Sequence, residues 1–216
     1  MSKEKIKSEI SMEYERSLYN GKKIVCGVDE AGRGPLAGNV YAAAVILPEN
    51  YEEIPELSPL NDSKKLSEKK RDELAKVIKE KSIAYCVAFA TVQEIEKINI
   101  LNAALLAMKR AIEGLEIKPE FALIDGNCTK NLPIECKSVV SGDAKCPSIA
   151  AASILAKTER DKYCYEYLDK IYPQYCFAKH KGYGTKLHYD AVEKYGLCKE
   201  HRPSFFKKYF EKKQRT

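Results

Sequence analysis

Four acidic side chains follow apolar, strand-like segments of this sequence, and their types and spacing could do chemistry. Three such segments, 24–28, 121–124 and 134–140, are each followed by an acid at once or within three residues. The four acids are Asp29, Glu30, Asp125 and Asp143. Ligand sites of open α/β sheets form near strand ends, so we expect these carboxylates to converge. Converging negative charges raise one another's pKa unless a cation neutralises them.

A divalent metal ion is the neutralising group that these ligands favour. Ligation by carboxylates alone suits the hard ions Mg²⁺ and Mn²⁺ better than zinc or copper. Two such ions ~3.5–4 Å apart can hold both the attacking and the leaving oxygen of a phosphoryl displacement. The sequence has no phosphate loop of the GxxxxGK[ST] type, which disfavours nucleotide hydrolysis of that kind. The pattern therefore predicts metal-assisted phosphoryl chemistry with Mg²⁺ or Mn²⁺.

A glycine-flanked arginine lies directly after the first acidic pair. Gly32 and Gly34 allow the backbone to approach a ligand closely, beside the Arg33 cation, which suits phosphate. The alternative is a plain hairpin turn that happens to carry acids, and for an acidic pair alone that alternative is favoured. Because glycines stand on both sides of the arginine, we interpret residues 29–34 as a functional turn between two strands.

Composition and charge indicate a soluble globular protein with a negatively charged partner. The length of 216 residues favours one domain, or a domain with an appendage. No apolar run reaches the ~18 residues of a membrane helix, and the N-terminus is too charged for a signal peptide, so we expect a cytoplasmic protein without membrane contact. Its eight cysteines form no CxxC pair and are expected to be reduced. The net charge of +6 is concentrated near 64–71, 179–181 and 202–208, where solvated helix faces are the alternative.

The hydrophobic pattern predicts an α/β protein with a mixed sheet. Strands are predicted near 23–29, 39–47, 82–90, 121–124 and 134–140. Helices are predicted over 1–21, from an N-cap at Ser67, from a Thr91–Glu94 capping box to Gly114, and over 148–171, with a loop at 48–62. We divide the chain into an N-terminal helix (1–21), a main body (22–178) and a helical C-terminal segment of the same domain (179–216).

Other polar residues have weaker claims to a catalytic role. Asp161 lies ~20 Å along the last long helix from its start, near Asp143, because a helix rises 1.5 Å per residue, so a structural ion pair is favoured for it. His180, His188 and Lys145 could assist catalysis, but a structural or phosphate-contacting role is at least as well supported for each.

The ordered motifs of this chain resemble those of ribonuclease HII, the type 2 ribonuclease H. They are DEAGRGPLAG, NDSKKLS, IDG, GDAKCPSIAAASILAK, HKGYGT and HYDAV, within about residues 22–205. The resemblance implies a ribonuclease H-like fold, a five-stranded mixed sheet flanked by helices with a helical C-terminal extension. It also implies cleavage of the RNA strand of RNA–DNA hybrids, and incision 5′ of ribonucleotides in duplex DNA during ribonucleotide excision repair. The type HIII enzymes differ by a glutamate as fourth ligand, where this chain has Asp143.

The resemblance also implies roles for individual residues. It implies that the metal-binding catalytic carboxylates are Asp29, Glu30, Asp125 and Asp143. The backbone of Gly32, Arg33 and Gly34 would read the ribose 2′-hydroxyl, the group that distinguishes RNA from DNA, and Tyr183 would pack on the sugar 3′ of the ribonucleotide. The residues that resemble phosphate contacts are Lys64, Lys65, Lys145 and Ser153.

Three rival functions stay open from the sequence. A DNA endonuclease or resolvase on the same fold would cleave an all-DNA duplex. A non-catalytic hybrid-binding module would bind without turnover, but clustered acids weaken binding to phosphates unless metal is present. A basic structural protein would not discriminate the 2′-hydroxyl. The expected partners are RNA–DNA hybrids and ribonucleotide-containing duplexes, bound by a monomer; packing of the tail 202–210 is favoured over a replication-clamp contact.

Overall fold

One mixed five-stranded sheet forms the centre of the protein. The computed structural model describes residues 10–19, 21–22 and 24–213, and the side chains of all of these except 61–65 and 212–213. The strands are β1 (Val25–Ala31), β2 (Val40–Ile46), β3 (Ala84–Ala90), β4 (Phe121–Asp125) and β5 (Cys136–Val139), in the sheet order β3-β2-β1-β4-β5. Strand β2 is antiparallel to β1 and β3, whereas β4 is parallel to β1 and β5. The predicted mixed sheet is confirmed.

Eight α-helices flank or extend this sheet in the described ranges. They are α1 (Met12–Ser17), α2 (Glu68–Lys81), α3 (Val92–Glu113), α4 (Pro147–Lys162), α5 (Asp169–Ile171), α6 (Phe177–His180), α7 (Lys186–Tyr195) and α8 (Pro203–Lys213). A π-helical segment, Tyr163–Leu168, joins α4 to α5, so the predicted helix over 148–171 changes its winding near its middle. The predicted loop at 48–62 contains two 3₁₀ segments, Tyr51–Glu53 and Pro55–Lys65.

Helix boundaries follow local capping signals, with two corrections. The Ser67 hydroxyl accepts from the Lys70 N–H and begins α2, and the predicted capping box begins α3. The prediction of one regular stripe along α3 is wrong at Asn99, whose φ of 66° breaks the helix. The prediction of a helix over 1–21 is wrong in extent, because the described helix is only Met12–Ser17; residues 1–9 lie outside the described residues.

The two faces of the sheet are covered by different helices. Helix α3 packs on the face that carries Cys26, Val28 and Ile124. Helix α4 packs on the opposite face, which carries Val25 and Leu123. Because strand side chains alternate between faces, Gly27, Asp29 and Asp125 are directed towards α4. The small side chains at 150–152 of α4 allow the helix to lie close to the sheet.

Helix α1 supports the start of α4 through a contact that the sequence did not predict. The buried Glu15 carboxylate accepts from the Ser148 N–H at 2.9 Å and from the Tyr19 hydroxyl at 2.8 Å. The N-cap residue of α4, Cys146, makes no side-chain capping bond, so Glu15 supplies the missing acceptor. Burial raises the pKa of the Glu15 carboxyl, and the hydrogen bonds oppose that rise.

The C-terminal segment packs against the body and encloses all three histidines. Phe206 is fully buried and packs in a cluster with Leu36 and Ala37, in agreement with the favoured packing of the tail. His201 Nδ1 accepts from the Cys198 N–H at 2.8 Å, so in the neutral ring its Nε2 carries the proton. That proton is donated to His188 Nε2 at 3.0 Å, and His188 Nδ1–H donates to the Tyr183 carbonyl at 2.9 Å. The structure therefore favours a structural role for His188.

Acidification is expected to weaken the fold through this histidine cluster. Burial lowers the pKa of His188 and of His201 from 6.5 to about 4. Between these two pH values the unfolded chain binds more protons than the folded one, so the free energy of unfolding falls as the pH falls. At 1.36 kcal/mol per pKa unit, protonation of this hydrogen-bonded pair lowers the free energy of unfolding by on the order of 3 kcal/mol across this window.

Urea unfolding of the wild type and of His201→Gln at a series of pH values measures this effect. The carboxyl groups with raised pKa, such as Glu15, act with the opposite sign, so the comparison between the two proteins isolates the imidazoles. We expect the variant to be less stable near neutral pH and to show a shallower decline towards about pH 4.5. The same slope in both proteins would contradict the prediction.

All eight cysteines are free thiols. In the described ranges, none of the helices combines the length and the apolar character needed to cross a bilayer.

Candidate active site

Parallel pairing of β1 and β4 places two of the predicted carboxylates side by side. Val28 stands opposite Ile124 in the register, so the next residues, Asp29 and Asp125, are neighbours on adjacent strands ~4.8 Å apart. Both are directed to the α4 face by strand alternation. The predicted convergence is confirmed for this pair. One correction applies, since β1 continues to Ala31 and Asp29 and Glu30 therefore lie within the strand, not after it.

The segment after β5 returns to the end of β4 and brings the fourth acid with it. The Gly142 N–H donates to Asp125 Oδ1 at 2.6 Å. Gly142 begins a 3₁₀ turn, Gly142–Ala144, that leads into α4 and contains Asp143. Asp143 is therefore one residue away from a direct contact with Asp125. Three elements, β1, β4 and this turn, contribute the four acids.

The carboxylates of β1 are electrostatically unfavourable in the absence of a cation. Asp29 is 6% exposed, and its pKa is raised well above the usual value by burial and then by the charges of Glu30 and Asp125. Hydrogen bonds from the Ser153 hydroxyl and from the Glu30 N–H, at 2.7 Å, oppose that rise. Burial also raises the pKa of Glu30, and the Arg33 guanidinium opposes the rise. Desolvation and mutual repulsion thus disfavour the ionised carboxylates unless a cation binds beside them.

The chemistry of this donor set fits a hard divalent cation. Carboxylate oxygens are the ligands that Mg²⁺ and Mn²⁺ prefer, and a bound ion would remove the repulsion that raises the pKa of Asp29. Among the described residues, no group of three or more His, Cys, Asp or Glu side chains is arranged to hold one ion. The role of the four acids as metal ligands therefore stays a prediction.

The glycine-flanked turn adjoins both the acids and the predicted sugar-packing tyrosine. Arg33 Nη1 lies 3.1 Å from Glu30 Oε1. A Cβ built on Gly34 would lie 3.7 Å from Cε1 of Tyr183, so the ring of that residue faces the turn. Tyr183 is 43% exposed, and the Lys157 ammonium lies 5.8 Å from its ring centre. The structure therefore brings Tyr183 to the turn across about 150 residues of sequence.

The predicted phosphate contacts have mixed placements. Ser153 bonds to Asp29, and Lys145 Nζ donates to the Val140 carbonyl at 2.7 Å. The side chains of Lys64 and Lys65 lie outside the described residues. Asp161 is an ion-pair residue, as predicted, with Lys157 Nζ at 2.7 Å and Arg71 Nη1 at 3.9 Å.

Two fully buried arginines, for which the sequence predicted no specific role, support the turn. Arg202 belongs to the basic cluster for which a solvated helix face was the alternative, and that alternative is wrong for it, since its exposure is 0%. Its guanidinium donates to backbone carbonyls of the turn region, and burial lowers its pKa to about 9. Arg160 is also fully buried and donates to the Lys181 carbonyl at 3.0 Å. The one sequence signal for Arg202 is its position in the aromatic tail segment.

Comparison with known proteins identifies relatives of this chain in sequence and in structure. Residues 26–213 match the family model described as Ribonuclease HII. A protein named Ribonuclease HII from Neisseria meningitidis serogroup C is 56% identical over 183 residues, which cover 84% of this chain and 92% of that protein. The crystal structure of the ribonuclease H2 from Pyrococcus horikoshii OT3 aligns with a TM-score of 0.71 at 25% identity, covering 90% of this chain and 100% of the other.

Two further structures support the fold and differ in what they contain. The complex of PCNA and RNase HII from Archaeoglobus fulgidus aligns with a TM-score of 0.70 at 24% identity, covering 83% of this chain and 94% of that one. The Mn²⁺ complex of Bst-RNase HIII aligns with a TM-score of 0.62 at 18% identity, covering 82% of this chain and 64% of that one. Both likenesses concern the ribonuclease H-like architecture predicted from the sequence.

Proposed function

This chain belongs to the ribonuclease HII family, whose members are ribonuclease H nucleases, and on that premise we propose that it cleaves the RNA strand of RNA–DNA hybrids and incises duplex DNA 5′ of an embedded ribonucleotide. The observation that carries the proposal is the position of Asp29 and Asp125 on adjacent strands, each directly after the paired residues Val28 and Ile124 and beside the glycine-flanked turn. In this arrangement, a pair of carboxylates whose repulsion a cation would relieve lies beside exposed backbone that a sugar can approach.

The four acids are proposed to hold the divalent ions. They are Asp29, Glu30, Asp125 and Asp143. When bound, Mg²⁺ or Mn²⁺ would supply an activated water and a counter-charge for the departing 3′ oxygen, leaving 3′-hydroxyl and 5′-phosphate ends. The Mn²⁺ complex of Bst-RNase HIII, of the same fold, supports a metal of this class. Ser153 would hold Asp29 in place, since its hydroxyl donates to that carboxylate.

Recognition of the substrate is proposed for the turn and for Tyr183. The backbone of Gly32, Arg33 and Gly34 would contact the 2′-hydroxyl, and the exposed Tyr183 ring would pack on the next sugar. The Arg33 side chain is 51% exposed and is available to a phosphate while it pairs with Glu30. An all-DNA duplex lacks the hydroxyl that this surface would read.

We expect the protein to cut a DNA duplex that carries one ribonucleotide only when Mg²⁺ or Mn²⁺ is present. Asp125→Asn is expected to lower the rate by about 10³-fold, because it removes a proposed metal ligand whose contribution is several kcal/mol. Gel analysis of end-labelled strands measures the rate and the position of the cut.

An all-DNA duplex of the same sequence and a chelator-treated sample are the controls. Cleavage of the all-DNA duplex at a comparable rate would favour the DNA endonuclease instead. Binding of the ribonucleotide duplex without any cut in the presence of metal would favour a binding module. Equal rates for the wild type and Asp125→Asn would contradict the assignment of the acids.

A further inference from the structure

We infer that Arg202 is a positioning residue that directs two backbone N–H groups of the turn, those of Arg33 and Gly34, outward as donors for a sugar hydroxyl. The inference rests on the proposed function for the identity of that ligand. It concerns how the turn acquires its selectivity, and it assigns that task to a buried side chain far away in sequence.

The hydrogen bonds of Arg202 go to the backbone of the turn region. Its guanidinium donates to four carbonyls, those of Gly32 at 2.8 Å, Arg33 at 3.2 Å, Pro35 at 2.8 Å, and Gly38 at 2.9 Å from Nε and 2.6 Å from Nη2. A buried arginine usually pairs with a carboxylate. Among the described residues, Arg202 has no carboxylate hydrogen-bond partner, and all three of its nitrogens serve these carbonyls. The side chain therefore acts as a template for backbone direction.

Peptide geometry converts this template into a donor site. In a trans peptide the C=O of one residue and the N–H of the next point in opposite directions, and the described chain has no cis peptide bonds. The carbonyls of Gly32 and Arg33 point at Arg202, so the N–H groups of Arg33 and Gly34 point away from it. Neither N–H has an acceptor within the described parts of the chain. Two successive N–H groups on one side form a concave site that accepts an oxygen atom.

The location of this donor pair matches the site around it. Arg33 is in contact with Glu30, one of the four acids, and Gly34 faces the Tyr183 ring. When one sugar packs against Tyr183, the neighbouring ribose would lie beside the two amides. The scissile phosphate would then lie near the acids. A Cβ at Gly32 would lie closer than 3.0 Å to the buried Arg160 side chain, so both buried arginines bear on the same turn.

Lysine cannot take over this task. Arginine presents five N–H donors in a planar fork, whereas a lysine ammonium has three donors at one point. Nη2 of Arg202 serves the carbonyls of Gly32 and Gly38, and Nη1 serves those of Arg33 and Pro35. One ammonium has three donors at a single point and cannot serve all four carbonyls. Arg202→Lys keeps the positive charge, but it no longer fixes the direction of the N–H groups of Arg33 and Gly34.

Binding of a single-ribonucleotide duplex and of the matching all-DNA duplex, measured by fluorescence anisotropy in EDTA, tests the inference without turnover. We expect the preference of the wild type for the ribonucleotide duplex to fall about tenfold in Arg202→Lys, equivalent to about 1.4 kcal/mol. A loss of fold stability alone would weaken the binding of both duplexes equally and would leave the ratio of the two affinities unchanged. Arg110→Lys is the matched control, because Arg110 also donates to a backbone carbonyl, that of Phe89, but lies on α3.

Every outcome separates this inference from the proposed function. An unchanged preference in folded Arg202→Lys overturns the inference. A wild type that incises at the ribonucleotide but binds both duplexes equally also overturns it, while the proposed function stands. A wild type that neither incises at the ribonucleotide nor discriminates between the two duplexes would contradict the proposed function itself.

Should Arg202→Lys fail to fold, the wild type still provides a test. The ¹H–¹⁵N signals of Arg33 and Gly34 are expected to shift when the ribonucleotide duplex is added and to move less with the all-DNA duplex. Equal shifts with the two duplexes would refute the inference.

Discussion

Asp29→Asn is expected to abolish incision and, at the same time, to make the metal-free protein more stable. The Asp29 carboxyl is buried, and its pKa is raised by that burial and by the charges of Glu30 and Asp125. A raised folded pKa means that the ionised form destabilises the fold at every pH above the unfolded value of 3.8. Asparagine keeps the shape and removes the charge, so we expect a gain of about 1–3 kcal/mol in EDTA.

The activity of Asp29→Asn should fall by about 10³-fold, because the amide cannot balance a divalent ion as the carboxylate does. Urea unfolding in EDTA near neutral pH and the single-ribonucleotide assay with Mg²⁺ measure the two effects on one protein. Asp190→Asn is the matched control, since that carboxylate is 55% exposed and pairs only at the surface with Lys186. It should leave both quantities nearly unchanged. A destabilised but active Asp29→Asn would contradict the proposed role.

Gly27→Ala is expected to destabilise the protein by about 3 kcal/mol or more, because the added methyl group would overpack the core at this point. A Cβ on Gly27 would lie closer than 3.0 Å to the carbonyl carbon of Ser148 and the nitrogen of Ile149. These are backbone atoms of α4 and cannot rotate away. Separation of α4 from β1 would also disturb the cap that Glu15 provides to Ser148.

Thermal and urea unfolding of Gly27→Ala measure this loss. Gly34→Ala is the control for stability, because the nearest atom to its added Cβ would lie at an ordinary 3.7 Å and its φ is not in the left-handed region. We expect that control to stay within about 1 kcal/mol of the wild type. A wild-type unfolding midpoint for Gly27→Ala would show that α4 can move without cost.

Local patterns in the sequence were sufficient for most element types. Alternating and periodic apolar residues predicted all five strands and the main helices, and the hydroxyl caps at Ser67 and Thr91 marked where two helices begin. These signals are local because capping and burial patterns act over three or four residues. The break at Asn99 and the π-helical segment after Lys162 were missed, since the apolar periodicity continues through both.

The sequence by itself determined the set of acids, the glycine-flanked turn and their family resemblance, because residue types and short spacings carry that information. Only the tertiary structure decided that Asp29 and Asp125 share one face, which depends on the register of two strands nearly a hundred residues apart. It also decided the roles of Glu15 and Arg202, whose partners lie 133 and up to 170 residues away. A charged residue in a sequence reads as solvent-exposed. Its burial against distant backbone groups is a property of the packed fold alone.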